Sequence, residues 1–218
     1  MIREMFIGRA PSHFEFNSVI KAFIIGEMML WSAWNSIYPI IALFAIQLPG
    51  GDIKTAASAY SLYLVVRVVF ELVSGRLLVG SGDMRKFAFT ILGVSVLSFA
   101  YYGFAYANAS YELFLFYAVA GCGMGIATPA KNSLFSSHLD KEHETLEWSM
   151  MDAAVFLCMA LSGALGGFVA EQYGFKFLFL CALVINVIGI IPYILYIRSE
   201  KTHVWNIFFG SKKRHTND

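Results

Sequence analysis

Charge is what this sequence has least of. Only 14% of its 218 residues are charged, against roughly 25% in a soluble domain. The net charge of +1 is spread over short loops and two tails, which gives no sign of a nucleic-acid partner. Cysteine is nearly as scarce. Cys122, Cys158 and Cys181 each lie inside an apolar run, with no CxxC and no neighbouring His, so neither a disulfide framework nor a metal centre follows from them. They read as small buried hydrophobes. There is no HExxH and no Ser/His pair within the apolar stretches, which argues against an intramembrane enzyme. No cofactor motif stands out either. The glycines Gly121, Gly123 and Gly125 lie inside an apolar helix rather than after a strand, so they do not form a nucleotide loop. The segment His138–Trp148 gathers His138, Asp140, His143 and Glu144, and a solvated acidic loop accounts for it better than a metal site.

What fills the chain instead is apolar length. Hydrophobic residues make up 58% and aromatics 16%, and mean hydropathy is +0.62. A membrane helix needs roughly 20 apolar residues, and six such stretches are present. They run from about Ser18 to Gln47, Thr55 to Val79, Phe87 to Ala107, Tyr111 to Phe135, Ser149 to Ala170 and Phe175 to Ile197. Pro49-Gly50-Gly51 closes the first by turn chemistry. The expected architecture is an all-α membrane protein: an N-terminal arm over 1–17, a six-helix domain over 18–197 and a tail over 198–218. The arm mixes basic and aromatic residues and suits a short interfacial helix. Lys54 and Lys176 stand on one side of the bilayer. The other basic residues, Arg67 apart, fall on the side shared by both tails. The positive-inside rule therefore places both termini in the cytoplasm, at the cell membrane.

Span 2 organises the rest. Its sequence YSLYLVVRVVFELVSGRLLVGSGDMRK carries Arg67 and Glu71 in the middle of an apolar run. Each charge at mid-bilayer costs about 2.5–3.5 kcal/mol on insertion scales. Four-residue spacing puts Tyr60, Tyr63, Arg67, Glu71 and Ser74 on one stripe, which must face protein or water rather than lipid. An ion pair gluing helices together and the lining of a path both satisfy that demand. In span 1, Glu27, Trp31, Trp34, Asn35 and Tyr38 fall within an arc of about 100° and lie too deep for an interfacial belt. Glu27, unlike Glu71, has no counter-ion within helical reach, and an unpaired buried carboxylate tends to hold its proton.

Several motifs resemble the major facilitator superfamily, and specifically one six-helix half of it. Between spans 2 and 3 that family carries G-x-L-a-D-R-x-G-R-K. Gly75, Leu77 and Gly82 stand in place here, with Arg85 and Lys86 slightly late, Val79 where the acid would be and Gly80 where the next basic residue would be. The family's G-x-G-x-G followed by P-A appears as Gly121, Gly123, Gly125, Pro129 and Ala130. Its G-P-x-x-G-G appears in span 5 as Ser162-Gly163-Ala164-Leu165-Gly166-Gly167, without the proline. Gly174-Phe175-Lys176-Phe177-Leu178-Phe179 looks like its G-W-R-x-x-F.

The resemblance implies two inverted three-helix repeats forming one half of a twelve-helix fold. The chain starts at a Met and ends on a charged tail, and is read as a complete half-length protein. The function so implied is secondary active transport of a small solute, with protons as the coupling ion and a parallel homodimer in the lipid bilayer as the working unit. The path would be lined by Glu27, Trp31, Trp34, Asn35 and Tyr38 from span 1, Tyr60, Arg67 and Glu71 from span 2, and Tyr117 from span 4. A cytoplasmic gate would comprise Gly75, Arg76, Gly82, Asp83, Arg85, Lys86, Lys131 and Asp152, with Glu147 adding negative charge and Lys131 expected beside Asp152. The alternative is a non-transporting membrane scaffold using the same fold.

Overall fold

The computed structural model describes residues 18–141 and 143–195. Among them are six helices long and apolar enough to cross a membrane, and no strand. Span 1 is the helix Ser18–Ile37, which continues through a 3-10 turn at Tyr38–Ile40 into a short helix, Ile41–Ala45. The break coincides with Pro39, which has no N–H to give to the helical ladder. Span 2 (Ile53–Leu77) starts where Asp52 accepts the backbone N–H of Thr55 at 2.7 Å, satisfying one of the free donors of a helix start. Span 3 is Asp83–Tyr106, span 4 is Ser110–Ser137 and span 5 is Glu144–Tyr173. Gly174, at φ +83°, takes a left-handed turn that lets span 6 begin at Phe175. Span 6 is helical to Ile188 and again from 191 to 195. Span 5 thus begins several residues before the start expected at Ser149, because the acidic loop winds into its first turns. The arm and the tail lie outside the described residues.

Small residues decide which helices touch. Along span 4 the glycines alternate between two neighbours. A Cβ on Gly121 would lie 2.5 Å from the Tyr63 carbonyl, and one on Gly125 would lie 2.7 Å from that of Arg67, so this edge fits only against span 2. A Cβ on Gly123 would lie 2.7 Å from the Gly93 carbonyl of span 3. Without a hydrophobic effect between helices in lipid, such backbone approach is what association rests on. Span 1 packs in turn on spans 5 and 6, and span 3 on span 6. Interchanging the first three spans with the last three carries one set of neighbours onto the other.

The core runs along the bundle axis and is rich in rings, with Tyr101, Phe104, Leu113, Tyr117 and Phe179 fully buried. Asn186 of span 6 is also buried, and donates to the Val94 carbonyl (3.1 Å) and the Ser98 hydroxyl (2.8 Å) of span 3. Spans 2 and 5 are the least covered by the rest of the chain. Each shows an exposed apolar stripe at helical spacing: Val65, Val69 and Leu72 on span 2, Leu161, Leu165 and Phe168 on span 5.

Candidate functional site

Among the described residues, two charged constellations stand out within the membrane-spanning part. The first is built on Glu27. Its carboxylate receives Lys131 of span 4 at 2.6 and 2.9 Å, the Tyr193 hydroxyl of span 6 at 3.0 Å and the Trp31 indole N–H at 3.1 Å. Both ions are buried, with side-chain exposures of 11% for Glu27 and 5% for Lys131. Gly26 makes the arrangement possible, since a Cβ there would lie 2.5 Å from the Tyr193 ring. The expectation that Glu27 lacks a counter-ion is therefore corrected. Its counter-ion comes from a distant span, so helical reach along span 1 could not find it.

The second constellation is the aromatic and charged face shared by spans 1, 2 and 4. Trp34 stacks on Tyr63 (ring centroids 4.9 Å apart), Tyr63 stacks on Tyr60 (5.6 Å), and Tyr60 meets Tyr38 (5.2 Å). Tyr117 sits edge-on to Trp34, Tyr60 and Tyr63. Offset and edge-on pairs of this kind are favoured by the ring quadrupoles. One turn along span 2, the Arg67 guanidinium donates to Glu71 (3.3 Å), the Tyr63 hydroxyl (3.3 Å) and the Thr128 hydroxyl (3.5 Å). A charge-assisted bond in good geometry is 2.7–2.9 Å, so Arg67 is held loosely. Its side chain is 23% exposed and that of Glu71 38%.

The residues expected to line a path are thus sorted. Trp34, Tyr38, Tyr60, Arg67, Glu71 and Tyr117 come together on one face. Glu27 and Trp31 belong to the buried ion cluster. Asn35 turns toward span 5, where it donates to the Met159 carbonyl at 2.6 Å. Thr128 and Tyr193 were not expected. Tyr193, near the end of an apolar span, has the signature of an interfacial ring, and only the packing reveals its hydrogen bond to Glu27.

At the basic end of the bundle, Asp83 pairs with Lys86 (3.3 Å) and lies 3.7 Å from the His138 ring. Gly75, Leu78, Val79, Gly80, Lys86, Pro129 and Ser133 border a groove of about 370 Å³ between spans 2 and 4. Arg76, Arg85 and Gly82 are exposed at this end. Lys131 and Asp152, expected near each other, form no ion pair with one another among the described residues. Lys131 turns inward to Glu27, and Asp152 is exposed. Glu147 is also buried and accepts the Asp140 backbone N–H at 2.9 Å. Among the described residues no group of His, Cys, Asp and Glu could hold a metal ion.

No curated protein matches the chain. The family model described as Major Facilitator Superfamily matches residues 23–216. That match begins inside span 1 and takes in the other five spans, including the glycine-lined span 4 and the charged face of span 2, and the chain therefore belongs to the Major Facilitator Superfamily of membrane transporters.

Proposed function

We propose that the protein is a proton-coupled secondary transporter of a small solute, working as a parallel homodimer with its two-fold axis along the membrane normal and both termini in the cytoplasm. The observation that carries the reading is the Arg67–Glu71 pair: two charges in mid-span, loosely bonded and partly exposed on a face that the six spans leave open. Lipid against such a face is costly. A second copy covers it, and a closed two-fold pair is the commonest oligomer. The small hollow beside Trp34, Tyr38 and Tyr117, of about 10 Å³, holds at most a water. A solute that meets Arg67 and these rings therefore binds on the open face, between copies.

Within this reading the Glu27–Lys131 pair is the coupling element: a proton delivered to Glu27 releases Lys131 and frees span 1 from span 4. The gate is the basic end of spans 2 and 3, with Gly75, Arg76, Gly82, Asp83, Arg85 and Lys86, together with the exposed Asp152 of span 5. Charge pairs there bias a two-state equilibrium only through their difference between states. Solute uptake into proteoliposomes under an imposed pH gradient tests the reading. Accumulation that collapses with the gradient supports it. A protein that binds partners in the membrane yet moves no solute at any gradient is a scaffold.

A further inference from the structure

We propose that the open face selects a small organic anion with an aromatic or similarly flat apolar body, bound with its carboxylate on Arg67 and its ring against Tyr60 and Tyr38. This deepens the transporter reading and rests on it. The argument starts from the donors. A guanidinium has five N–H groups, and Arg67 uses one from each nitrogen, to Glu71, Tyr63 and Thr128, so a pair of N–H donors is left over. All its bonds are 3.3–3.5 Å long, so a carboxylate bonding in bidentate fashion offers shorter and stronger contacts. The neighbouring Tyr38 hydroxyl is a further donor, whereas the Thr128 proton is already given to the Met124 carbonyl at 2.7 Å. Among the described residues the carboxylate on this face is Glu71, and it is already spent on Arg67. A cation would meet the aromatic faces favourably, but beside a guanidinium that repels it and a carboxylate already bonded to that guanidinium.

The second element is spacing. Tyr60 and Arg67 are separated by two helical turns on the same stripe, about 10 Å along the axis at 1.5 Å per residue. That span suits an arylalkanoate, whose ring and carboxylate are joined by a short chain. Tyr38, 43% exposed, closes the ring position from span 1 at 5.2 Å from Tyr60.

The test is calorimetric titration of the purified protein with 3-phenylpropionate and the matched cation 3-phenylpropylamine. The acid should bind and the amine should not. Arg67→Gln should weaken the acid by about tenfold or more. Glu71→Gln should tighten it several-fold by freeing the guanidinium, an effect that mere loss of helix packing would not produce. Preference for the amine, absence of binding by the acid, or an Arg67→Gln variant that elutes as folded protein and keeps wild-type affinity would each overturn the proposal. Uptake of labelled acid into liposomes separates the two levels. Binding without uptake leaves the ligand class standing and sinks the transport reading. Uptake of the amine in place of the acid does the reverse.

Discussion

Lys131 and Glu27 face each other across the interface of spans 4 and 1, with the ammonium 2.6 and 2.9 Å from the two carboxylate oxygens. Removing one partner of such a pair leaves a buried charge uncompensated, at a cost of about 3–5 kcal/mol, whereas replacing both with apolar groups is often neutral. Glu27→Gln and Lys131→Met should each lower the thermal midpoint in detergent. The double variant Glu27→Leu/Lys131→Met should recover most of it while losing any response of transport to a pH gradient. A double variant as unstable as the singles would show that the pair is not the coupling between these sites.

Span 4 has no room for a side chain at Gly121, Gly123 or Gly125. A methyl at Gly125 would press on the backbone of Arg67 and Glu71, and such overpacking costs about 1–3 kcal/mol. Gly125→Ala should therefore lower stability and move Arg67 together. On span 5, a methyl at Gly167 would meet no atom within 4 Å, so Gly167→Ala should leave the thermal midpoint unchanged or raise it slightly, as a helix-interior Gly→Ala without a clash does.

If the open face is covered by a second copy, Tyr38→Cys and Leu64→Cys, the latter beside the Arg67–Glu71 stripe, should each cross-link between chains in native lipid. Val184→Cys on span 6, at least as exposed, should not. A mass of one chain in lipid, with transport retained, would remove the dimer.

Asp52 supplies a pH dependence outside the membrane. Its side-chain bond to the Thr55 hydroxyl, first, and then its bond to the Thr55 N–H hold the carboxyl below its ordinary value of 3.8. A depressed folded-state pKa contributes stability that is complete above the unfolded value and is lost as pH falls through the folded one. Exchange protection at Thr55 should thus be constant from neutral pH down to about the ordinary aspartate value, and fall below it. Asp52→Ala should lack both the protection and the step, with Asp52→Asn keeping the cap and losing the step.

The six spans, their order and the helical stripe of span 2 were legible because each depends on residues close in sequence. Arg67 and Glu71, four apart, announce their own pairing, and the glycines of span 4 announce close contact. What the linear pattern could not supply is the azimuth of one helix against another. Lys131 and Asp152 are at comparable depth by residue count, but depth alone does not say which way span 4 is rotated, and it presents Lys131 to span 1. Glu27 looked unpartnered for the same reason, since its partners arrive from spans 4 and 6. Thr128 carries no signal beyond being a hydroxyl in an apolar run, and its role appears only with Arg67 beside it.

The Glu27–Lys131 contact also orders events during synthesis. The two residues are 104 positions apart in the chain, so at roughly 5–20 residues per second the first helix waits about 5–20 s for the lysine that compensates it. Tyr193, the third member, is made later still. Until then span 1 carries an acid worth about 2.5–3.5 kcal/mol against insertion, with neither of its packing neighbours, spans 5 and 6, yet made. The insertion machinery must shelter it through that interval. Ribosome-stalled chains ending before Lys131 should hold span 1 against the translocon, and release it into lipid only once the fourth helix has emerged.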